Sequence, residues 1–87
     1  MPQYKYAFTP NALKRLRKLS PEIQKRIIYK LDWYCSHDPL EKADQLTDFR
    51  LGSYKFSIGD YRVVFDLEMG ETLVVRTVKH RRDVYRD

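Results

Sequence analysis

The chain has 87 residues, enough for one compact core and too few for two independent ones. Hydrophobic residues at 43% and charged residues at 33% fit a folded domain rather than a disordered one, and no apolar run nears the roughly 20 residues of a bilayer span. Seventeen Lys and Arg against twelve Asp and Glu leave +5, and with seven tyrosines this balance suits a nucleic-acid partner.

Tyr4, Tyr6 and Phe8 alternate with Lys5 and Ala7, which predicts a short strand over 4–8. Thr9-Pro10 then reads as an N-cap with proline at the first helical position, where its missing N–H costs nothing. The helix that follows sets Leu13, Leu16 and Leu19 on one stripe. Ser20-Pro21 repeats the signal and opens a second helix, with Ile23, Ile27, Leu31 and Tyr34 as its apolar face, flanked by Ile28 and Cys35. Tyr29 and Trp33 stand four apart, away from that face. They suit either a second buried side, with the helix lying between its partner helix and a sheet, or a partner-binding patch.

The second helix should end near Ser36 to Pro39, because proline disfavours a helical residue before it. Residues 38–53 read as a loop with room for a short strand, anchored by Leu46, Phe49 and Leu51. Three strands follow over 54–58, 61–67 and 72–79, with Gly59-Asp60 and Met69-Gly70 as hairpin turns. The expected fold is α+β: an N-terminal strand, an antiparallel helical hairpin and a three-stranded antiparallel sheet, in the order β-α-α-β-β-β, forming one domain over 1–87.

Two-residue turns would set the registers. Ser57 then pairs with Arg62 and Lys55 with Val64; in the second hairpin Val64 pairs with Val75 and Arg62 with Thr77. Tyr54, Phe56, Ile58, Tyr61, Val63, Phe65, Val74 and Val78 would form the core face. The other face would carry Lys55, Ser57, Arg62, Val64, Val75, Thr77 and Lys79. Like charges on neighbouring strands repel, so Lys55, Arg62 and Lys79 there suit a bound anion; a solvated polar face is the simpler alternative. Arg76 falls on the core side in this register, which points to an edge position or a second turn that is off by one. The terminal run Lys79-His80-Arg81-Arg82-Asp83-Val84-Tyr85-Arg86 adds cations and an aromatic ring that can fold over the same face.

Cys35, the single cysteine, leaves no intramolecular disulfide and no Cys-rich zinc module, and reads as a small core residue. His37 reads as a cap of helical carbonyls. His37 and His80 lie far apart without flanking ligands, so no metal or cofactor is expected. The opening MPQYKYAF lacks an export pattern, so a cytoplasmic protein is expected.

Residues Gly52-Ser53-Tyr54-Lys55-Phe56-Ser57-Ile58-Gly59-Asp60-Tyr61-Arg62-Val63-Val64-Phe65, with His80-Arg81-Arg82-Asp83-Val84-Tyr85 at the end, strongly resemble the RelE branch of the RelE/ParE toxin superfamily. The element order is similar over essentially the whole chain. The resemblance implies a RelE-like, microbial ribonuclease-type fold. It also implies a type II toxin that enters the ribosomal A site and cuts mRNA without a metal, by attack of a ribose 2′-hydroxyl on the adjacent phosphorus. By the same resemblance Arg62 contacts the scissile phosphate, and Lys55 stabilises charge or accepts the proton. Arg81 or His80 serves the leaving oxygen, and Tyr85 stacks on or orients the nucleotide. Lys79, Arg82, Ser57 and Arg86 would contact RNA. Where some family members carry a second lysine, this chain has Ser57. An acidic antitoxin, partly disordered alone, is the implied partner beside the ribosome and mRNA, with Tyr29 and Trp33 as candidate anchors. The alternatives are a ParE-like inhibitor of DNA gyrase and a catalytically weakened RNA- or ribosome-binding toxin.

Overall fold

A computed structural model describes residues 4–46 and 52–84. The expected α+β order is present: β1 (Lys5–Phe8), α1 (Pro10–Arg17), α2 (Pro21–Ser36), α3 (Pro39–Lys42), β2 (Asp44–Gln45), β3 (Tyr54–Ile58), β4 (Tyr61–Glu68), β5 (Thr72–His80) and α4 (Arg81–Val84). The strands form one mixed sheet in the order β1-β5-β4-β3-β2. Pairing is antiparallel except at β1, which runs parallel to β5. The sheet is therefore wider than the three strands expected from sequence, because β1 joins one edge and β2 the other.

The helix starts follow their cap residues. Thr9 Oγ1 accepts from the Ala12 N–H at 3.1 Å, and Ser20 Oγ accepts from the Ile23 N–H at 3.4 Å, each relieving an orphan donor of the first turn. Gln24 Nε2 donates to the Leu19 carbonyl at 2.8 Å, closing the break between α1 and α2. At the far end of α2 the His37 ring Nδ1 lies 2.7 Å from the Trp33 carbonyl, as a C-terminal cap should. Asp38 and Pro39 then use the cap-proline signal a third time to start α3. At four residues α3 is too short to carry a periodic stripe, so the sequence reads there as loop.

The core lies between the helices and one sheet face. Ala12, Leu16, Ile27, Leu31 and Cys35 meet Phe56, Ile58, Val63, Phe65, Leu73, Val75 and Val78. On α1 the buried pair is Ala12 and Leu16 and Leu13 is half-buried; Leu19, expected on the same stripe, lies beyond the end of the helix and is half-buried. Tyr34 stacks on Phe56 at 4.0 Å and Phe56 on Phe65 at 4.7 Å, so rings bridge α2 to the sheet. Desolvation pushes the Cys35 thiol up from its ordinary value, with the nearby Asp32 charge adding to it.

The first hairpin has the expected register, Ser57 opposite Arg62 and Lys55 opposite Val64. The second does not. Glu68 faces Thr72 across Met69, Gly70 and Glu71, with Met69 at φ 55° and Gly70 at φ 72°. That three-residue turn moves the ladder by one, so Phe65 faces Val75. A bulge at Arg76 moves it again, so Val64 faces Thr77 and Arg62 faces Lys79. Leu73 and Val75 consequently point into the core, and Val74 does not. Arg76 leaves the core side altogether. Its Nη1 meets Asp66 Oδ2 at 3.0 Å, and its carbonyl accepts from Thr9 Oγ1 at 3.3 Å.

Leu46 is half-buried; Phe49 and Leu51 lie outside the described residues. Among the described residues no helix is long and apolar enough to cross a membrane.

Candidate functional site

The face of the sheet away from the helices is built by alternation along β3, β4 and β5. Because Phe56, Ile58, Val63, Phe65 and Val78 turn inward, Lys55, Ser57, Arg62, Val64, Thr77 and Lys79 turn outward. The cations expected there are brought together, and the bulge tightens the group by setting Lys79 directly opposite Arg62. Ser57 faces Arg62 from the other side and is exposed.

Arg62 is held close to its own turn. Its Nη1 donates to the Gly59 carbonyl at 3.2 Å and to the Tyr61 carbonyl at 3.1 Å. Its Nε is buried without a hydrogen-bond partner. Lys55 has a side chain only 18% exposed, and its Nζ lies 3.7 Å from Asp44 Oδ2 on β2. Sequence patterning missed Asp44, since a two-residue strand has no alternation to read.

Arg81 opens α4 beside the Gly59-Asp60 turn. Its N–H donates to the Asp60 carbonyl at 2.7 Å, and its Nε lies 3.8 Å from Asp60 Oδ1. Asp60 thus does more than shape the turn: it ties the end of β5 to the β3–β4 hairpin. Arg82 is exposed, and its N–H donates to His80 Nδ1 at 3.3 Å. Tyr85 and Arg86 lie outside the described residues.

His80 separates from the others. It pairs with Tyr61 in the ladder, and the two rings meet edge to face at 5.3 Å. That is the helical side of the sheet, opposite Arg62. There His80, Tyr61 and Val78 line an open groove of about 450 Å³ with Lys14, Arg15 and Lys18 of α1. Among the described residues no three His, Cys, Asp or Glu gather as metal ligands.

Tyr29 is 67% exposed and Trp33 37%. The second buried side considered for α2 is therefore not formed. Trp33 stacks on His37 at 4.0 Å, and the ammonium groups of Lys30 and Lys42 each lie 5.9 Å from its ring centre.

Residues 6–85 match the family described as the ParE toxin of the type II toxin–antitoxin system, parDE. Toxin RelG of Mycobacterium tuberculosis (strain ATCC 25618 / H37Rv) is 30% identical over 84 residues, covering 95% of this chain and 97% of that protein. A chain in the crystal structure of the toxin–antitoxin complex RelBE2 from M. tuberculosis superposes with a TM-score of 0.78 at 28% identity, over 91% of this chain and 99% of that one. A chain of the RelB–RelE antitoxin–toxin complex from Methanococcus jannaschii superposes with a TM-score of 0.69 over 91% and 94% of the two chains; at 20% identity it speaks for the fold.

Proposed function

This chain belongs to the RelE/ParE toxin family of type II toxin–antitoxin systems, and we propose that it is a ribosome-dependent endoribonuclease that cuts mRNA in the A site. One observation carries the reading. Arg62, with its Nε out of water, sits in the ladder opposite Lys79 and one strand from Lys55, so three cationic side chains share one face where a phosphate can bind. A forked guanidinium suits the two non-bridging oxygens of a phosphodiester.

In the proposed reaction the ribose 2′-oxygen forms a bond to the adjacent phosphorus as the bond from phosphorus to the 5′-oxygen breaks. The products are a 2′,3′-cyclic phosphate and a 5′-hydroxyl. Arg62 would hold the phosphoryl oxygens as charge builds on them. Lys55, steadied by Asp44, would stabilise that charge or take the 2′-hydroxyl proton. Arg81, anchored on Asp60, is the stronger candidate to serve the leaving oxygen, since His80 faces the helical side. Tyr85 would stack on or orient the nucleotide, with Lys79, Arg82, Arg86 and Ser57 as further RNA contacts. These cations supply the positive charge, so the step needs no metal in this account.

The relative at 28% identity is found in a toxin–antitoxin complex, which supports an acidic cognate antitoxin as partner of this basic chain. Tyr29 and Trp33 are the proposed anchors for it.

Ribosomes programmed with an mRNA carrying a single 2′-deoxy nucleotide at each A-site position in turn test the chemistry. Cutting should stop where the attacking hydroxyl is removed, and wild-type fragments should begin with a 5′-hydroxyl even when a chelator strips transition metals and magnesium is kept. Fragments beginning with a 5′-phosphate would contradict the mechanism. The family description names ParE, which favours gyrase inhibition as the second reading. In that case mRNA stays intact and DNA supercoiling stops.

A further inference from the structure

Two side-chain polar atoms among the described residues are buried with no hydrogen-bond partner: Arg62 Nε and Thr77 Oγ1. Such an atom has given up water and gained nothing in return. Both belong to the same place. Arg62 opposes Lys79 and Val64 opposes Thr77, so Arg62 and Thr77 are diagonal neighbours on the outer sheet face. The Arg76 bulge creates this arrangement, because a regular ladder would not bring Thr77 opposite Val64.

In the free protein the end of Arg62 is turned back, with Nη1 shared between the carbonyls of Gly59 and Tyr61. A phosphate arriving at the face competes for that nitrogen and draws the guanidinium outward. The Nε–H turns with it and needs an acceptor. An arginine Nε can only donate, whereas a threonine hydroxyl can accept. Thr77 is 7% exposed, so bulk water does not compete for its oxygen.

We propose that Thr77 is the positioning residue for Arg62: its hydroxyl accepts the Arg62 Nε–H in the phosphate-bound state and holds the forked end toward the anion. The proposal rests on the ribonuclease reading for its consequence in catalysis, and on the two buried atoms for its chemistry.

Nitrogen-15 NMR of the full chain, titrated with inorganic phosphate, reads the Arg62 Nε–H directly. In wild type, phosphate should shift this signal and slow its exchange with water. Thr77→Val should abolish both effects, and Thr77→Ser should restore them. Thr77→Val should also unfold at the same or a higher urea concentration, because it replaces an unpaired hydroxyl by a methyl group of the same shape. On programmed ribosomes it should cut roughly tenfold more slowly at saturation with KM unchanged, with recovery in the serine variant.

An equal Nε–H response in wild type and Thr77→Val would overturn the proposal, as would no response in wild type. Loss of stability in Thr77→Val would overturn it too, since that marks a structural hydroxyl. A wild type that responds to phosphate through Thr77 yet never cuts mRNA would remove the ribonuclease reading and leave the Arg62–Thr77 pair standing.

Discussion

Gly52 supports the candidate site by staying out of the way. It sits at φ +152°, and a Cβ there would lie 2.5 Å from Val64 Cγ1 on the strand that carries Arg62. The adjoining Ser53 N–H donates to Asp66 Oδ1 at 2.8 Å, so the approach of this segment to β4 is fixed on both sides. Gly52→Ala should therefore destabilise the fold by about 1–3 kcal/mol, through overpacking and a backbone angle unsuited to a side chain. An unchanged urea midpoint would mean that the segment can lift without cost. At Arg62 the question is shape as much as charge. Arg62→Lys keeps one positive charge but loses the fork, and cleavage should fall by roughly 10²-fold or more. Measured single-turnover rates near wild type would leave simple charge attraction as the arginine's contribution.

Among the elements, α2 presents two unlike sides, one in the core and one in water. Its inner side buries Ile27 and Leu31 completely, and Leu31→Ala should cost about 2–5 kcal/mol in urea unfolding. Its outer side leaves Tyr29 in water and Trp33 braced by His37. Trp33→Ala should weaken antitoxin binding by about 2 kcal/mol in calorimetry; an unchanged affinity would remove this face from the interface. The inner side was legible because Ile23, Ile27, Leu31 and Tyr34 follow the helical repeat, and both helix starts were legible from cap and proline. The first hairpin was legible as well, since a Gly-Asp pair between alternating strands admits one register. The second hairpin was not. Met69 adopts φ 55°, which residue type does not announce, and the bulge at Arg76 reflects tertiary ties to Asp66 and Thr9. Two one-residue shifts in the same direction restore the parity of Val78, which is why the cationic face could be foreseen although its pairs between β4 and β5 could not. Thr77 was foreseen on that face but opposite Arg62, whereas it faces Val64; Asp44 stayed hidden because it gains its place beside Lys55 through a pairing distant in sequence.

For the molecule as a whole, burial raises the ordinary values of Tyr6, Tyr34 and Cys35 together. Each is an acid that is neutral when protonated, so the unfolded chain ionises first as pH rises. The native state then binds more protons than the unfolded one, and stability falls with pH. It is full below the ordinary cysteine and tyrosine values of 9.0 and 10.0, and is lost progressively above them. The urea midpoint should hold between pH 7 and about 8.5 and drop beyond, with a shallower drop in Tyr34→Phe. A flat profile to pH 11 would mean that these groups are not shielded from water. At the same scale, the basic charge and the cations on the outer face of β3, β4 and β5 fit the proposal that Arg62 would grip a phosphodiester presented by the ribosome. The measurement that reaches it most directly is a map of mRNA breaks on programmed ribosomes with wild type and Arg62→Ala side by side. Wild type should cut within the A-site codon and the variant should not, with ribosome binding retained by both. Cuts of equal strength from Arg62→Ala, or intact mRNA with wild type bound, would contradict the proposal.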